Sequence, residues 1–84
     1  MSALRQKMLQ RMLLRGFAKS TQEAYINWIV RLAGFHHQSP DQLDDNHLQA
    51  FMLDLIDKRQ LSASTCRQAI HSIRFFIEML WVER

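Results

Sequence analysis

"LSASTCRQAIHSIRFFIEML", residues 61–80, is the stretch of sequence that decides the fold. Apolar side chains recur in it at steps of three and four residues, which is the spacing of one face of an α-helix. Five residues form this apolar stripe: Cys66, Ile70, Ile73, Ile77 and Leu80. A second stripe carries Arg67, His71 and Arg74, with Glu78 one turn further on. The pattern predicts a helix with one buried face and one basic face.

Composition places the rest of the chain in the same structural class. The chain has 84 residues, 48% of them hydrophobic, which is enough for one small domain with its own core. Only two glycines and one proline interrupt it, and residue types that favour helices are common. We therefore expect an all-α fold, a compact bundle of four helices that occupies residues 1–84 as a single domain.

Hydrophobic periodicity and capping residues predict where the helices begin and end. The expected helices span about residues 3–15, 21–37, 45–59 and 63–82. Ser20 and Glu23 have the spacing of a capping box, so we expect them to start the second helix. Asp44 or Asp45 is expected to cap the third helix, and Ser62 or Ser64 the fourth.

Each helix is also expected to bury an apolar stripe. On the first helix the stripe contains Leu4, Met8, Leu9, Met12 and Leu13, while Leu14 falls on the opposite side. On the second it contains Tyr25, Ile29, Leu32 and either Phe35 or His36. On the third it contains Leu48, Phe51, Met52, Leu55 and Ile56. The first helix has the least regular pattern, so we expect it to pack loosely or to await a partner surface.

Charge is distributed unevenly along the chain. The net charge is +3, but residues 1–19 carry five basic side chains and no acid, whereas residues 39–59 carry five aspartates against Lys58 and Arg59. A domain with one electropositive and one acidic end is suited to approach a polyanion in a fixed orientation. The simpler interpretation is that a short chain has uneven charge for no functional reason.

Several functions are disfavoured by what the sequence lacks. His36 and His37 are adjacent, and adjacent side chains on a helix diverge by about 100°, so a zinc site is not expected. Cys66 lies on the apolar stripe, which favours a small buried side chain over a nucleophile. We find no catalytic or phosphate-binding motif, and we expect neither enzymatic activity nor a metal or cofactor.

Secretion and membrane binding are disfavoured as well. The single cysteine cannot form an intramolecular disulfide, and the sequence has no signal peptide or apolar run of about 18 residues. Basic and apolar positions are interleaved on the first helix, which argues against an interfacial membrane helix. We therefore expect a cytoplasmic protein without a membrane partner.

The basic stripe of the fourth helix favours nucleic-acid binding. Reading base edges in the major groove requires an exposed helix face with long donor side chains, and binding phosphate requires cations, hydroxyls and free helix N-termini. The candidates for base contacts are Arg67, Gln68, His71 and Arg74. The candidates for phosphate contacts are Lys19, Ser20, Thr21, Ser64 and Thr65. Glu78 would repel phosphate, so we expect contact through the first half of the helix.

The order of these features resembles a known family. "KSTQEAYINWIVRLAGF" (19–35) and "SPDQLDDNHLQAFMLDLIDKRQLSASTCRQAIHSIRFFIEML" (39–80) are similar to the N-terminal core-binding domain of tyrosine recombinases, the phage-integrase family. The matching features are Ser20-Thr21 followed by Ala24-Tyr25, the Leu43-Asp44 entry to a helix, and the stretch quoted first. The resemblance covers residues 19–80 and implies a SAM-like bundle of orthogonal helix pairs.

The resemblance also implies a function. A domain of this kind clamps one face of the recombination-site duplex, and its second and fourth helices approach the major groove. By matched position these contacts fall on Lys19, Thr21, Arg67, Gln68, His71 and Arg74. The implied partners are double-stranded DNA and, in a synaptic complex, other recombinase protomers, whereas the isolated domain would be monomeric.

Catalysis in the resembled family belongs to a separate C-terminal domain, which this chain does not contain. Tyr25 matches a packing residue of that family and not its nucleophile. We therefore expect a non-catalytic domain of a longer, bacterial or phage-encoded recombinase. The alternative from a different functional class is a helical module that binds another protein and has no role on DNA. In that case the basic stripe is only a solvated face.

Overall fold

Four α-helices make up most of the structure. The computed structural model describes the backbone of residues 2–83 and the side chains of residues 3–82. The helices are α1 (Ser2–Leu14), α2 (Lys19–His36), α3 (Asp45–Asp57) and α4 (Ala63–Glu83), and a 3-10 turn occupies Pro40–Gln42. No strand occurs between residues 2 and 83, so the all-α, four-helix prediction is confirmed. Within the same residues, no helix is long and apolar enough to cross a bilayer.

The core is built around α4. This helix makes its most extensive contacts with α2 and then with α3. Ile73 has no exposed surface, and the other four residues of the predicted α4 stripe are buried or partly buried. Complete burial of one aliphatic side chain of this size stabilises a fold by about 1.5–3 kcal/mol. The buried face of α4 therefore agrees with the sequence prediction, including Cys66 as a buried residue of the core.

Two residues of the predicted stripes lie outside the core. Leu13 of α1 is 68% exposed and Ile56 of α3 is 56% exposed, although both were expected to be buried. Each follows a fully buried residue, Met12 or Leu55, and the next side chain on a helix points about 100° away. The neighbouring helices cover only the centre of each apolar stripe, so its edge remains in solvent.

The predicted capping box at the start of α2 is wrong. The helix begins two residues early, after Ala18, and no side chain caps it. Ser20 and Glu23 therefore lie inside its first turns. Near this start, the Gln22 side-chain amide donates a 2.9 Å hydrogen bond to the Phe17 carbonyl oxygen.

Phe17 is held by an aromatic cluster that joins α2 to α4. Its ring centroid lies 5.4 Å from that of Tyr25 and 5.6 Å from that of Phe75, and the last two rings are 5.8 Å apart. Aromatic pairs at these distances contribute beyond the area that they bury. Tyr25 is thus a packing residue of the α2–α4 contact, as the resemblance implied.

The caps of α3 and α4 agree with the sequence. Asp44 Oδ1 accepts hydrogen bonds from the backbone N–H groups of Asn46 and His47, and the Asp44 N–H donates to His47 Nδ1. The hydrogen bond from the His47 backbone N–H is the main cause that lowers the pKa of the Asp44 carboxyl group. At the start of α4, Ser62 Oγ accepts from the Thr65 N–H at 3.2 Å. Each of these two helices therefore begins at a residue that the sequence proposed.

Candidate nucleic-acid interface

The two helices expected to meet DNA run in opposing directions across their contact. Tyr25 of α2 packs against Phe75 of α4, whereas Trp28, one turn later on α2, donates from Nε1 to Oε1 of Gln68, two turns earlier on α4. The start of α2 therefore lies beside the second half of α4. The start of α4 lies beside the second half of α2.

This orientation separates the two helix starts that were candidates for one phosphate-binding surface. Phe17, which precedes α2, contacts Phe75, and Ser64 lies three turns before Phe75 on α4. Three turns of helix span about 16 Å along the axis. Lys19 to Thr21 and Ser64 to Thr65 thus occupy opposite ends of the α2–α4 contact, where they could meet phosphates at different places along a duplex.

Most of the candidate side chains are accessible. Seven of the nine are exposed: Lys19, Ser20, Ser64, Arg67, Gln68, His71 and Arg74. Thr21 and Thr65 are half-buried. The Thr65 hydroxyl also accepts a 3.0 Å hydrogen bond from the Ser62 hydroxyl, so part of its bonding capacity is used at the helix cap. Solvent exposure is compatible with DNA contact and equally with a solvated face.

The candidates on α4 divide between two edges of the helix. The α2 edge carries Gln68, which bonds to Trp28. The α3 edge carries Arg74, which lines an open groove together with Asp45 of α3 and Glu78. Arg67 lies seven residues before Arg74 and so on almost the same line of the helix. The exposed crest between the two edges carries Ser64 and His71.

The basic side chains differ in whether an acid already neutralises them. Arg59 Nε, at the end of α3, lies 3.4 Å from Asp54 Oδ2. Within residues 3–82, by contrast, no ion pair engages Lys19, Arg67 or Arg74. A cation without an ion-pair partner in its own fold remains available for phosphate, since no internal contact has to be broken first.

One basic residue beside this surface was not among the sequence candidates. Arg31 of α2 is exposed, and its guanidinium carbon lies 4.4 Å from the centroid of the Trp28 ring. Because Trp28 also bonds to Gln68, Arg31 stands next to a predicted DNA-contacting residue on the other helix. The spacing of Trp28 and Arg31, one turn apart on α2, was the available signal, but it did not reveal that α4 packs alongside.

The histidines form hydrogen bonds that tie helices together. His36 Nε2 lies 2.8 Å from the backbone oxygen of His47, and the two rings pack edge to face at 4.7 Å. His47 Nδ1 in turn lies 2.9 Å from Asp44 Oδ1. Within the described part of the chain, no group of three or more histidine, cysteine or acidic residues is placed to hold a metal ion. The His36 and His47 contacts thus join the end of α2 to the start of α3.

Comparison with known proteins identifies the family. Residues 4–83 match the model of the phage integrase N-terminal SAM-like domain, and the chain belongs to this family. A putative integrase/recombinase, y4qK, of Sinorhizobium fredii is 29% identical over 98% of the chain. Proteins named integrase/recombinase from Escherichia coli and Pseudomonas aeruginosa are each 33% identical over 71% of it.

The chain corresponds to only part of these relatives. It spans 28% of the Sinorhizobium protein and 18% of each of the other two. No solved structure gives a significant match to it. The match of the family model over residues 4–83 confirms the resemblance that residues 19–80 carry in the sequence, and it extends over nearly the whole chain.

Proposed function

We propose that this chain is the DNA-binding, core-binding domain of a site-specific tyrosine recombinase and clamps the recombination-site duplex through α2 and α4. The observation that carries the proposal is the exposed basic surface on α4 of a phage-integrase SAM-like domain, where Arg67 and Arg74 have no ion-pair partner within residues 3–82. Such cations release condensed counterions when they meet phosphates, and this release supplies a large share of affinity for DNA.

The first half of α4 is the part of that surface best suited to enter the groove. The positive end of the α4 dipole lies there and favours phosphate near Ser64. Arg67 and His71 follow on the exposed side, with donors that can reach base edges or the backbone. The second half of the helix carries Glu78 and faces Asp45 of α3, which weakens its attraction for a polyanion.

In this proposal the chain positions DNA and does not cut it. Strand breakage and rejoining would be carried out by another part of a longer recombinase, and contacts with other protomers would arise in its synaptic complex. Tyr25 packs its ring against Phe17 and Phe75, which favours a structural role for it over that of a nucleophile. The proposed DNA binding by this chain does not involve a cofactor. The proposed location is the cytoplasm of a bacterium.

A titration of the isotope-labelled chain with a short mixed-sequence duplex tests the proposal. Backbone amide signals would be followed by NMR at low salt and again at physiological salt. The expected result is a set of shifts at residues 19–22 and 64–74 that fades at the higher salt, because phosphate contacts are salt-dependent. Absence of shifts at low salt, or shifts that persist unchanged at high salt, would contradict DNA binding through this surface.

A helical protein-interaction module is the second candidate function. Leu13 and Leu14 at the end of α1 are 68% and 87% exposed, and a partner protein could cover them. Docking of this kind buries apolar area and depends little on salt. In an NMR titration of the same kind, with a protein ligand in place of the duplex, shifts confined to α1 signals would favour this function over the DNA clamp.

A further inference from the structure

Arg31 has the features of a functional cation but lies outside the surface described by the family resemblance. It is exposed on α2, and no ion pair engages it within residues 3–82. Its recorded contact is with the Trp28 ring, at 4.4 Å from the guanidinium carbon to the ring centroid. Arg59 differs from Arg31 in this respect, because the Arg59 guanidinium forms an ion pair with Asp54.

The contact with Trp28 orders Arg31 without using up its hydrogen-bonding groups. No hydrogen bond of the Arg31 side chain occurs within residues 3–82, so its N–H groups are available to another acceptor. The attraction between a cation and an indole ring offsets part of the entropic cost of holding the side chain in place. Trp28 itself is only 4% exposed, so the platform beneath Arg31 is fixed by the core.

Arg31 lies over a ring that reaches both neighbouring helices, because Trp28 packs against Phe51 of α3 and bonds to Gln68 of α4. Trp28 Nε1 donates a 3.4 Å hydrogen bond to Gln68 Oε1. Because the indole nitrogen can only donate, its partner on Gln68 is the amide oxygen and not the amide nitrogen. On α2, Ser20 lies eleven residues before Arg31 and so on nearly the same line of the helix. A duplex that contacts Ser20 and Gln68 would therefore pass beside Arg31.

We propose that Arg31 is a further DNA-binding residue of this domain, a phosphate contact held over Trp28 next to Gln68. The proposal rests on the proposed function, because it extends the same DNA-binding surface onto the second half of α2. The ligand is the backbone phosphate of double-stranded DNA. Arg31 therefore adds affinity and orientation without reading sequence.

The test is the salt dependence of DNA affinity in the Arg31→Met variant of the full 84-residue chain. Methionine keeps an apolar cover on Trp28 but removes the charge. With a short mixed-sequence duplex, the slope of log affinity against log salt should fall by about 0.9 in magnitude, the value for one phosphate contact. Between 50 and 200 mM salt, the wild type should then lose about threefold more affinity than the variant.

Two matched variants separate charge from packing. Arg31→Lys should retain the wild-type slope, because the charge is still present. Arg59→Gln removes an arginine that is already paired with Asp54 and should also retain it. An unchanged slope in Arg31→Met, or equal losses in Arg31→Met and Arg31→Lys, would overturn the assignment of Arg31. If the wild type itself shows no salt-dependent binding, the proposed function fails, and this inference fails with it.

Discussion

The two edges of α4 carry similar side chains in different electrostatic surroundings. On the α2 edge, Gln68 bonds to Trp28, and Arg31 lies over the same indole ring with no carboxylate paired to it within residues 3–82. On the α3 edge, Arg74 shares its groove with Asp45 and Glu78. Both arginines are always charged. The electrostatic potential at each one therefore differs only through the other charges around it, which depend on the helix that packs beside it.

This difference shows that a basic stripe is not a uniform surface. Arg67 and Arg74 lie on nearly the same line of the helix, and in the sequence only Glu78, four residues after Arg74, distinguishes their surroundings. Asp45 and Glu78 line the same groove as Arg74, so under the proposed function we expect Arg74 to be the poorer phosphate ligand. We therefore expect the proposed DNA binding to depend most on the first half of α4 together with the α2 edge.

The largest difference is expected between an aspartate on the buried face of α4 and an aspartate on its exposed face. Ile73→Asp places a charge without a partner in a site with no exposed surface, and should cost roughly 3–5 kcal/mol, which is enough to unfold a small domain. His71→Asp, two residues earlier on the exposed side, should fold normally and weaken duplex binding. Thermal melts by circular dichroism measure the stability of both variants. A cooperative melt of Ile73→Asp near the wild-type temperature would mean that the wrong face was assigned to the core.

The next largest effect compares the two arginines of the basic stripe. Arg67→Ala should keep the fold and weaken duplex affinity by about 1–2 kcal/mol at low salt. Arg74→Ala should cost less than half as much, because Asp45 and Glu78 already oppose its attraction for phosphate. Fluorescence anisotropy with a labelled duplex measures both affinities. Equal losses would remove the proposed difference between the halves of the helix, and no loss in either variant would remove α4 from the interface.

A smaller effect distinguishes the starts of α2 and α4. Ser62→Ala removes the cap of α4 and should lower the free energy of unfolding by about 1 kcal/mol. Ser20→Ala should change it by less than about 0.5 kcal/mol, because Ser20 lies within α2 and does not cap it. Urea unfolding measures both values. A larger loss in the Ser20 variant would restore the capping box that the sequence suggested.

The smallest effect concerns the acid sensitivity of the α3 cap. The pKa of Asp44 is lowered in the folded protein, chiefly by the backbone N–H of His47, so its carboxylate stabilises the fold above its unfolded pKa. That stabilisation is lost as the pH falls through the lowered pKa. The melting temperature should therefore decline below about pH 4, near the reference value of an aspartate. In Asp44→Asn, which retains a capping oxygen, the decline should be shallower, and identical pH profiles would exclude this contribution.

The sequence predicted the fold where local and tertiary preferences agree. The α4 stripe had to be buried because its period matches the helix, and Ile73 is fully buried. Asp44 caps α3 through contacts within four residues, so the signal was complete in the chain itself. At Ser20 the local pattern was misleading, since α2 begins at Lys19 and Ser20 does not cap it; beside this start, Phe17 packs against Phe75, 58 positions away.

The candidate site was predicted less completely for the same reason. Arg67 and His71 could be proposed from the sequence because exposed basic residues on one helix face form a pattern within a single helix. Arg31 was not, because its significance depends on Trp28 meeting Gln68, 40 residues further along. The sequence could not show that Asp45 faces Arg74 either, as this proximity arises only when α3 packs on α4.

The amino-acid sequence by itself determined the helical class, the buried face of α4 and the family, since these depend on residue type and periodicity along the chain. Only the tertiary structure decided that the starts of α2 and α4 lie at opposite ends of their contact and that Arg31 joins Gln68 through Trp28. The physical reason is that spacing along a helix defines a direction around its axis, whereas the charge and shape of a surface depend on which other helix occupies that direction.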